Sequence, residues 1–320
     1  LLNKKLIFTS GATESNNLAL FGFARNFKQK TGRYGNIITL KTEHKAVLEP
    51  IRQLKKEGFS VTELYPESDG LISEENLINA LRDDTFLISI MLANNEIGVI
   101  QPIEKIFKIC QKNNIKLHTD AAQCLGYVPM RNFNSLANMI TLSSHKIYGP
   151  KGIGLLIIDE DIQLNPLFYG GGQEFGYRSG TIPLPLIVGF SKAIELAIKN
   201  QARNSTHLAS LRDALMNGLL KRNSQILING SIFHRLPHNL NLTVQDINGP
   251  KFHKYIKHQI VCSSGSACSN GKVSHVLPSI GRSLKEAESS VRLSIGLTTT
   301  SDEIDKSIAV ITETINKLRK

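Results

Sequence analysis

The chain has 320 residues and a formal net charge of +11, with 41% hydrophobic and 20% charged residues. This length exceeds what one hydrophobic core usually supports, so two domains are expected. No apolar run is long enough to cross a bilayer, which excludes a membrane-spanning chain. The lysines and arginines are spread without an aromatic-rich basic motif, so no direct nucleic-acid partner is expected. The start "LLNKKLIFTSG" lacks the pattern of a signal peptide, which favours a cytoplasmic protein.

Seven runs rich in apolar and β-branched residues predict strands in the first half of the chain, and amphipathic segments such as "SEENLINALRD" and "IEKIFKICQKN" lie between them. The strand candidates are "KLIFT", "NIITLK", "VTELY", "TFLISIML", "IKLHTD", "MITLSS" and "GIGLLIID". Strands that alternate with helices predict an α/β domain built on a mostly parallel sheet.

From about residue 201 the pattern changes. A long helix candidate, "STHLASLRDALMNGLLKR", precedes the strand candidates "QILING" and "HNLNLTV", and "SDEIDKSIAVITETINKLRK" predicts a closing helix. We therefore expect a large domain over residues 1–200 and a smaller α/β domain over residues 201–320.

Four cysteines without a C-x-x-C pair, and without histidines at metal-ligand spacing, argue against disulfides and against a metal site. Cys110 and Cys124 are expected to be packing residues, and Cys262 is expected to be buried at a strand end. Cys268 differs, because the stretch "SSGSACSN" around it offers neither bulk nor charge. It has the flexible, polar setting of a reactive thiol.

Polar stretches follow the predicted strands: "SGATESNN", "TEHK", "ANNEIG", "DAAQ" and "SHKIYGPKG". In an open α/β sheet, ligands bind beyond the carboxyl ends of the strands. These stretches should therefore meet at one edge of the sheet.

Each of these stretches has an ordinary interpretation beside a functional one. Lys146 is either a surface lysine or an amine held at a strand end to form a Schiff base. Asp120 is either a turn residue or the carboxylate that keeps a pyridine nitrogen protonated. Residues 11–13 are expected at the start of a helix. Either the side chain of Ser10 or Thr13 caps this helix, or its free N–H groups bind an anion. His44 is either a polar residue at a helix start or a ring that stacks on a cofactor.

In order along the chain, "SGATESNN", "TEHKAVL", "NNEIG", "DAAQ", "SSHKIYGPKG", "GGGQEFGYRSGT", "SSGSACS" and "SVRLSIG" resemble the motifs of the cysteine desulfurases (NifS- and IscS-like) of the class V aminotransferase superfamily. The resemblance spans residues 8–296. It implies the type I fold of pyridoxal 5'-phosphate (PLP) enzymes, in which a large, mostly parallel-sheet domain is followed by a smaller α/β domain.

The resemblance also implies a role for each matching residue. Lys146 would carry the cofactor, Asp120 would pair with the pyridine nitrogen, Gln123 would bond the ring hydroxyl and His44 would stack on the ring and move protons. The phosphate would be held by Ala12, Thr13, Ser143 and His145, together with Thr181 from the partner of a homodimer. The substrate carboxylate would be held by Asn95 and Arg292.

The resemblance further implies that L-cysteine is converted to L-alanine while Cys268 keeps the sulfur as a persulfide. That sulfur would pass to an acceptor or scaffold protein, for iron–sulfur cluster assembly or another thiolation pathway, and Cys268 would contact such a cluster transiently. Three alternatives remain: a selenocysteine lyase, another class V PLP enzyme, or an inactive form that acts only as a binding protein. Family members have about sixty residues before the first motif, so an upstream portion is expected to be missing.

Overall fold

The computed structural model describes residues 3–130, 136–263 and 274–319. Internal contacts divide the chain into two compact units. The first unit comprises residues 1–65, 72–93 and 101–201. The second unit comprises residues 202–320 together with the short stretches 66–71 and 94–100. The sequence instead places both stretches in the large domain of residues 1–200, and that domain assignment stays a prediction.

The first unit is built on a seven-stranded sheet with the strand order β1-β7-β6-β5-β4-β2-β3. Four of the neighbouring pairs are parallel, and only the pairs of β7 with β1 and with β6 are antiparallel. The prediction of a mostly parallel sheet is therefore confirmed. The strands are β1 (Lys4–Thr9), β2 (Asn36–Leu40), β3 (Ser60–Leu64), β4 (Thr85–Ser89), β5 (Lys116–Asp120), β6 (Met139–Ser143) and β7 (Gly154–Asp159).

The central strands of this sheet are buried on both faces, and helices supply the cover. Every residue of β2, β4 and β6 is buried, which explains why these strands appear in the sequence as continuous apolar runs rather than as alternating ones. The helices of the first unit are α1 (Ala12–Asn17), α2 (Phe23–Thr31), α3 (Lys45–Lys56), α4 (Glu74–Asn79) and α5 (Ile103–Lys112). A π-helical turn, Leu18–Gly22, joins α1 to α2.

The helix α6 (Leu184–Arg222) has 39 residues and begins about twenty residues before the segment that the sequence predicts. Its second residue is Pro185, and proline is compatible with the first turn of a helix because the N–H groups there have no intrahelical partner. The helix contributes residues up to Gln201 to the first unit and residues from Ala202 onward to the second.

The second unit contains a three-stranded antiparallel sheet with the order β10-β9-β8. Its strands are β8 (Ile226–Ile228), β9 (Asn239–Val244) and β10 (Ser290–Ser294). Its further helices are α7 (Gly249–Ile256), α8 (Val276–Ser279), α9 (Leu284–Glu288) and α10 (Ser301–Arg319). In the part of the chain that the structure describes, no helix has the length and apolar character needed to span a lipid bilayer.

Candidate active site

Asp120 is the last residue of β5 and is 6% exposed. Its Oδ2 accepts a hydrogen bond of 2.7 Å from Nδ2 of Asn16 on α1, and its Oδ1 accepts one of 3.0 Å from the backbone N–H of Ala122. The second bond is the turn contact that the ordinary interpretation expects. The first adds a side-chain donor from another element, so the carboxylate is held in one orientation at the carboxyl end of the sheet.

Two titratable groups, Cys124 and Glu43, interact with this carboxylate, and a third, His118, lies on the same strand. Burial, and then the nearby charge of Asp120, raises the pKa of the Cys124 thiol. Burial raises the pKa of the Glu43 carboxyl well above its usual value, against a smaller lowering by the hydrogen bond from the N–H of Met91, and the charge of Asp120 adds a still smaller rise. Burial lowers the pKa of His118, also on β5, to about 3. The thiol of Cys124 and the ring of His118 are therefore neutral near pH 7, and the carboxyl of Glu43 keeps its proton to a higher pH than a free glutamate does.

The start of α1 leaves backbone N–H groups beside an open space. Gly11 precedes the helix with φ 155°, and a Cβ at this position would meet no atom within 4 Å. The backbones of Gly154 and Gly11 lie close together, because a Cβ added to Gly154 would lie only 2.6 Å from the backbone of Gly11. No side chain caps this helix, so the prediction of a cap by Ser10 or Thr13 is wrong. The first N–H groups of α1 are consequently available for an anion.

The residues after β6 provide further polar groups. Ser143 is buried at the strand end, and its Oγ lies 3.1 Å from Nδ1 of His145. Partial desolvation and then the charges of Lys146 and Lys151 lower the pKa of His145, so its ring is neutral near pH 7. Lys146 lies on the 3-10 turn Ser144–Ile147 and is exposed. The lysine follows the end of the buried strand β6, and its role as the cofactor amine stays a prediction.

His44 is half-buried and begins α3, where its Nδ1 accepts a hydrogen bond of 3.1 Å from the N–H of Ala46. The ordinary interpretation of this histidine as a helix-start residue is thus confirmed. The bond fixes the ring beside a cavity of about 470 Å³ that Thr13 also lines. Gln123 is half-buried in the turn that follows Asp120, and Ala12 is half-buried in the first turn of α1.

Thr181 is exposed and lies three residues after Arg178. Nε of Arg178 donates a hydrogen bond of 2.9 Å to Oε1 of Glu14 in the first turn of α1, and Oε2 of Glu14 accepts one of 2.7 Å from the N–H of Ser10. This ion pair connects the chain segment that carries Thr181 to the segment that precedes Gly11.

Asn95 and Arg292 belong to the second unit, where they are in contact. Nη1 of Arg292, on β10, donates a hydrogen bond of 2.9 Å to the backbone oxygen of Asn95. Nε of Arg292 is buried and has no hydrogen-bond partner among the residues with described positions. The guanidinium therefore retains donor capacity of the kind that binds a carboxylate.

The positions of three cysteines bear on which thiol is reactive. Cys110 on α5 and Cys124 are fully buried, which confirms that they are packing residues, and burial raises the pKa of Cys110 to about 12. Cys262 is only partly buried and follows no strand, so the expectation of a buried cysteine at a strand end is wrong. Burial nevertheless raises its pKa. Cys268 lies outside the described residues.

Sequence reasoning missed three residues of this region: Asn16, Glu43 and Arg178. Asn16 and Glu43 lie inside motifs that the sequence singles out, and both are buried polar residues next to positions assigned to the site. The available signal for Asn16 was its place four residues after Ala12, one helical turn along α1. Nothing in the local sequence indicates that Arg178 pairs with Glu14, because 164 positions separate them.

These groups fit PLP. The buried carboxylate of Asp120 suits a protonated pyridine nitrogen, and the open space at Gly11, lined by helix N–H groups, suits a phosphate. Ser143 and the neutral ring of His145 add hydrogen-bond donors. Lys146 supplies an amine. No group of three or more His, Cys, Asp or Glu side chains within residues 3–130, 136–263 and 274–319 is arranged to hold a metal ion.

The model of the family described as Aminotransferase class-V matches residues 2–306. The chain belongs to this family of PLP-dependent enzymes.

Within the family, the chain groups with the cysteine desulfurases. It is 46% identical to the mitochondrial cysteine desulfurase of Eremothecium gossypii over 99% of this chain and 64% of that protein. It is 44% identical to cysteine desulfurase IscS of Histophilus somni over 99% of this chain and 78% of that protein. A solved structure described as a NifS-like protein is 35% identical, with a TM-score of 0.89, over 98% of this chain and 83% of the other. The chain thus spans somewhat less than two thirds of the first relative and more than three quarters of the second. The type I fold is confirmed.

Proposed function

We propose that this chain is a cysteine desulfurase that converts L-cysteine to L-alanine and keeps the sulfur as a persulfide on Cys268. The observation that carries the proposal is the buried carboxylate of Asp120, which lies at the carboxyl end of the sheet together with the open anion space of α1. The names of the relatives and the pKa values of the other cysteines add support.

PLP, when bound, supplies an electron sink that stabilises negative charge next to the amino group of the substrate. Asp120 keeps the proton on the pyridine nitrogen, and Gln123 bonds the ring hydroxyl. Ala12, Thr13, Ser143 and His145 hold the phosphate by hydrogen bonds.

Lys146 and His44 move protons in this proposal. The amine of Lys146 would hold the cofactor, and once cysteine is bound it would take the α-proton of the substrate. The bond from Ala46 fixes the ring of His44, which suits the ring for stacking on the cofactor and for passing protons.

Asn95 and Arg292 bind the carboxylate of cysteine, which orients the substrate. The thiolate of Cys268 then attacks the substrate sulfur. A sulfur–sulfur bond forms, the carbon–sulfur bond breaks, and its electron pair is protonated at carbon to give alanine. Cysteine and the enzyme thiol together supply every atom of alanine and the persulfide.

The experiment is a measurement of alanine formed from cysteine and of sulfide released when an added thiol such as dithiothreitol reduces the persulfide, together with the absorbance at about 420 nm that is typical of lysine-bound PLP. The wild-type protein should show both. Lys146→Ala should lose the absorbance and the activity, whereas Lys151→Ala, which changes a neighbouring exposed lysine, should retain the absorbance. A Lys146→Ala protein with an unchanged spectrum would refute the assignment of the cofactor lysine.

The same experiment separates the alternatives. A protein without the absorbance and without release would be the inactive, binding form. If it is coloured and releases selenide from selenocysteine but no sulfide from cysteine, it is a selenocysteine lyase. Transfer of the amino group without sulfide release would indicate another class V activity.

We also propose that the chain forms a homodimer in which Thr181 reaches the phosphate of the partner. Thr181 lies within a stretch that exposes large apolar side chains, which are Phe168, Tyr169, Phe175, Leu184 and Val188. Such surface is uncommon on monomers. Sedimentation should give twice the chain mass. Val188→Glu should shift the protein to monomers, whereas Ile78→Glu, at an exposed apolar residue on α4, should not. If both variants stay dimeric, the interface lies elsewhere.

An acceptor or scaffold protein for the persulfide sulfur and a cytoplasmic location remain predictions. The name of the Eremothecium gossypii relative places that protein in mitochondria.

A further inference from the structure

The stretch 94–100, which contains the motif "NNEIG", is fixed by side chains of the second unit. Asn239 and Asn241 on β9 donate hydrogen bonds of 3.3 Å and 3.1 Å from their Nδ2 atoms to the backbone oxygen of Glu96. The side chain of Asn94 accepts from the N–H of Glu96 at 2.8 Å. Together with the bond from Arg292 to Asn95, these contacts hold the backbone at the candidate residues for the substrate carboxylate.

Glu96 is 1% exposed, and its carboxylate receives a hydrogen bond from the hydroxyl of Ser274. Ser274 is also buried, and its Oγ accepts from the N–H groups of Val276 at 3.0 Å and Leu277 at 3.3 Å, which begin α8. The apolar side chains of these two residues pack in one cluster with Ile97 and Val99 of the stretch 94–100. The start of α8 is therefore joined to the stretch 94–100 by the hydrogen bonds of Ser274 and by the apolar contacts of Val276 and Leu277.

Ser263 forms the corresponding connection on the other side of residues 264–273. Its N–H donates to the backbone oxygen of Arg292 at 3.1 Å, and the N–H of Arg292 donates to the oxygen of Ser263 at 2.8 Å. Residues 264–273, which contain Cys268, are thus flanked by two serines bonded to Arg292 and to Glu96. Arg292 is itself a candidate residue for the substrate carboxylate, and Glu96 directly follows the other candidate, Asn95.

We propose that Glu96 and Ser274 are positioning residues for the transfer of sulfur to Cys268. This inference rests on the proposed function. The hydrogen bond between them fixes the point at which the chain leaves residues 264–273, relative to the residues that bind the substrate. Fixing both ends of a chain segment limits the volume that its side chains can reach, which raises the effective concentration of the thiol at the substrate sulfur. Misplacement by about 1 Å is enough to slow a reaction strongly.

The test compares Ser274→Ala with Ser283→Ala. Ser283 offers a matched control, because it also bonds a glutamate, Glu286 at 2.8 Å, and also accepts from a helix N–H in the same unit. Ser274→Ala should slow persulfide formation on Cys268 about tenfold, the factor expected for one lost buried hydrogen bond. The KM for cysteine should stay within about twofold of wild type, because Asn95 and Arg292 keep their own contacts. Ser283→Ala should leave both quantities unchanged.

A second pair of variants keeps the inference testable if Ser274→Ala does not fold. Glu96→Gln retains an acceptor oxygen at the same place and should stay within about threefold of wild type, whereas Glu96→Ala should lose about tenfold. Equal persulfide rates for Ser274→Ala and Ser283→Ala would overturn the inference, as would equal rates for the two Glu96 variants. If KM rises in parallel with the loss of rate, the residues have only a structural role. A wild-type protein that forms no persulfide would instead contradict the proposed function.

Discussion

Replacing Asn16 by alanine tests the arrangement around Asp120. The variant loses the bond of 2.7 Å to Oδ2 of Asp120 and leaves that oxygen buried, with the N–H of Ala122 as the remaining donor at the other oxygen. A hydrogen bond to a charged buried group contributes about 1.5–3 kcal/mol. We therefore expect Asn16→Ala to lower the free energy of unfolding of the cofactor-free protein by about 2 kcal/mol. Urea unfolding should show a lower midpoint with an unchanged slope.

Asn17→Ala is the matched control for this prediction. Asn17 has the same side chain in the same helix, but its Nδ2 donates to the backbone oxygen of Thr13 at an exposed position. A substitution of this kind should change the free energy of unfolding by less than about 0.5 kcal/mol. If the free energy of unfolding falls equally in the two variants, the hydrogen bond from Asn16 to Asp120 does not stabilise the protein more than an exposed one does. The account of a carboxylate held by a buried amide would then be refuted.

Three further predictions concern titration and reactivity. Burial raises the pKa of Glu14, but hydrogen bonds from Arg178 and Ser10 lower it below 4.5 overall. This carboxylate therefore stabilises the fold above that pH and loses its effect as the pH falls. Glu14→Gln should reduce the urea midpoint at about pH 7 but not at about pH 3. The pKa of Glu43 is raised, so unfolding releases its proton and stability falls as the pH rises above 4.5. Glu43→Gln should be more stable than wild type at about pH 8, with a smaller pH dependence between about pH 5 and 8. Equal slopes for the two proteins would contradict a raised pKa of Glu43. The buried Cys124 should resist alkylation in the native protein and react only after unfolding, as mapped by mass spectrometry.

The strands of the first unit could be predicted from the sequence because each is a short run rich in apolar and β-branched residues. The run "MITLSS" differs from β6 by one residue, and "VTELY" differs from β3 by one at each end. The start of α6 could not be predicted in the same way. Two prolines, Pro183 and Pro185, obscure the helical pattern there, although proline suits the beginning of a helix.

The candidate site could be predicted only in part. The rule that ligands bind at the carboxyl ends of strands pointed to Asp120, and the strand that ends there confirmed its position. The partner of its carboxylate could not be predicted, because Asn16 lies 104 positions away and only tertiary packing brings the two together.

The central claim is that Cys268 accepts sulfur from cysteine. The most direct measurement is the mass of the peptide that contains Cys268 after the PLP-loaded protein reacts with cysteine and persulfides are trapped by alkylation. The account predicts one added sulfur atom on Cys268 and one alanine per sulfur in the first turnover. It further predicts that Cys268→Ala keeps the cofactor absorbance but forms no persulfide, whereas Cys262→Ala forms persulfide as wild type does. Alanine production at the wild-type rate by Cys268→Ala, or added sulfur on Cys262 instead, would contradict the account.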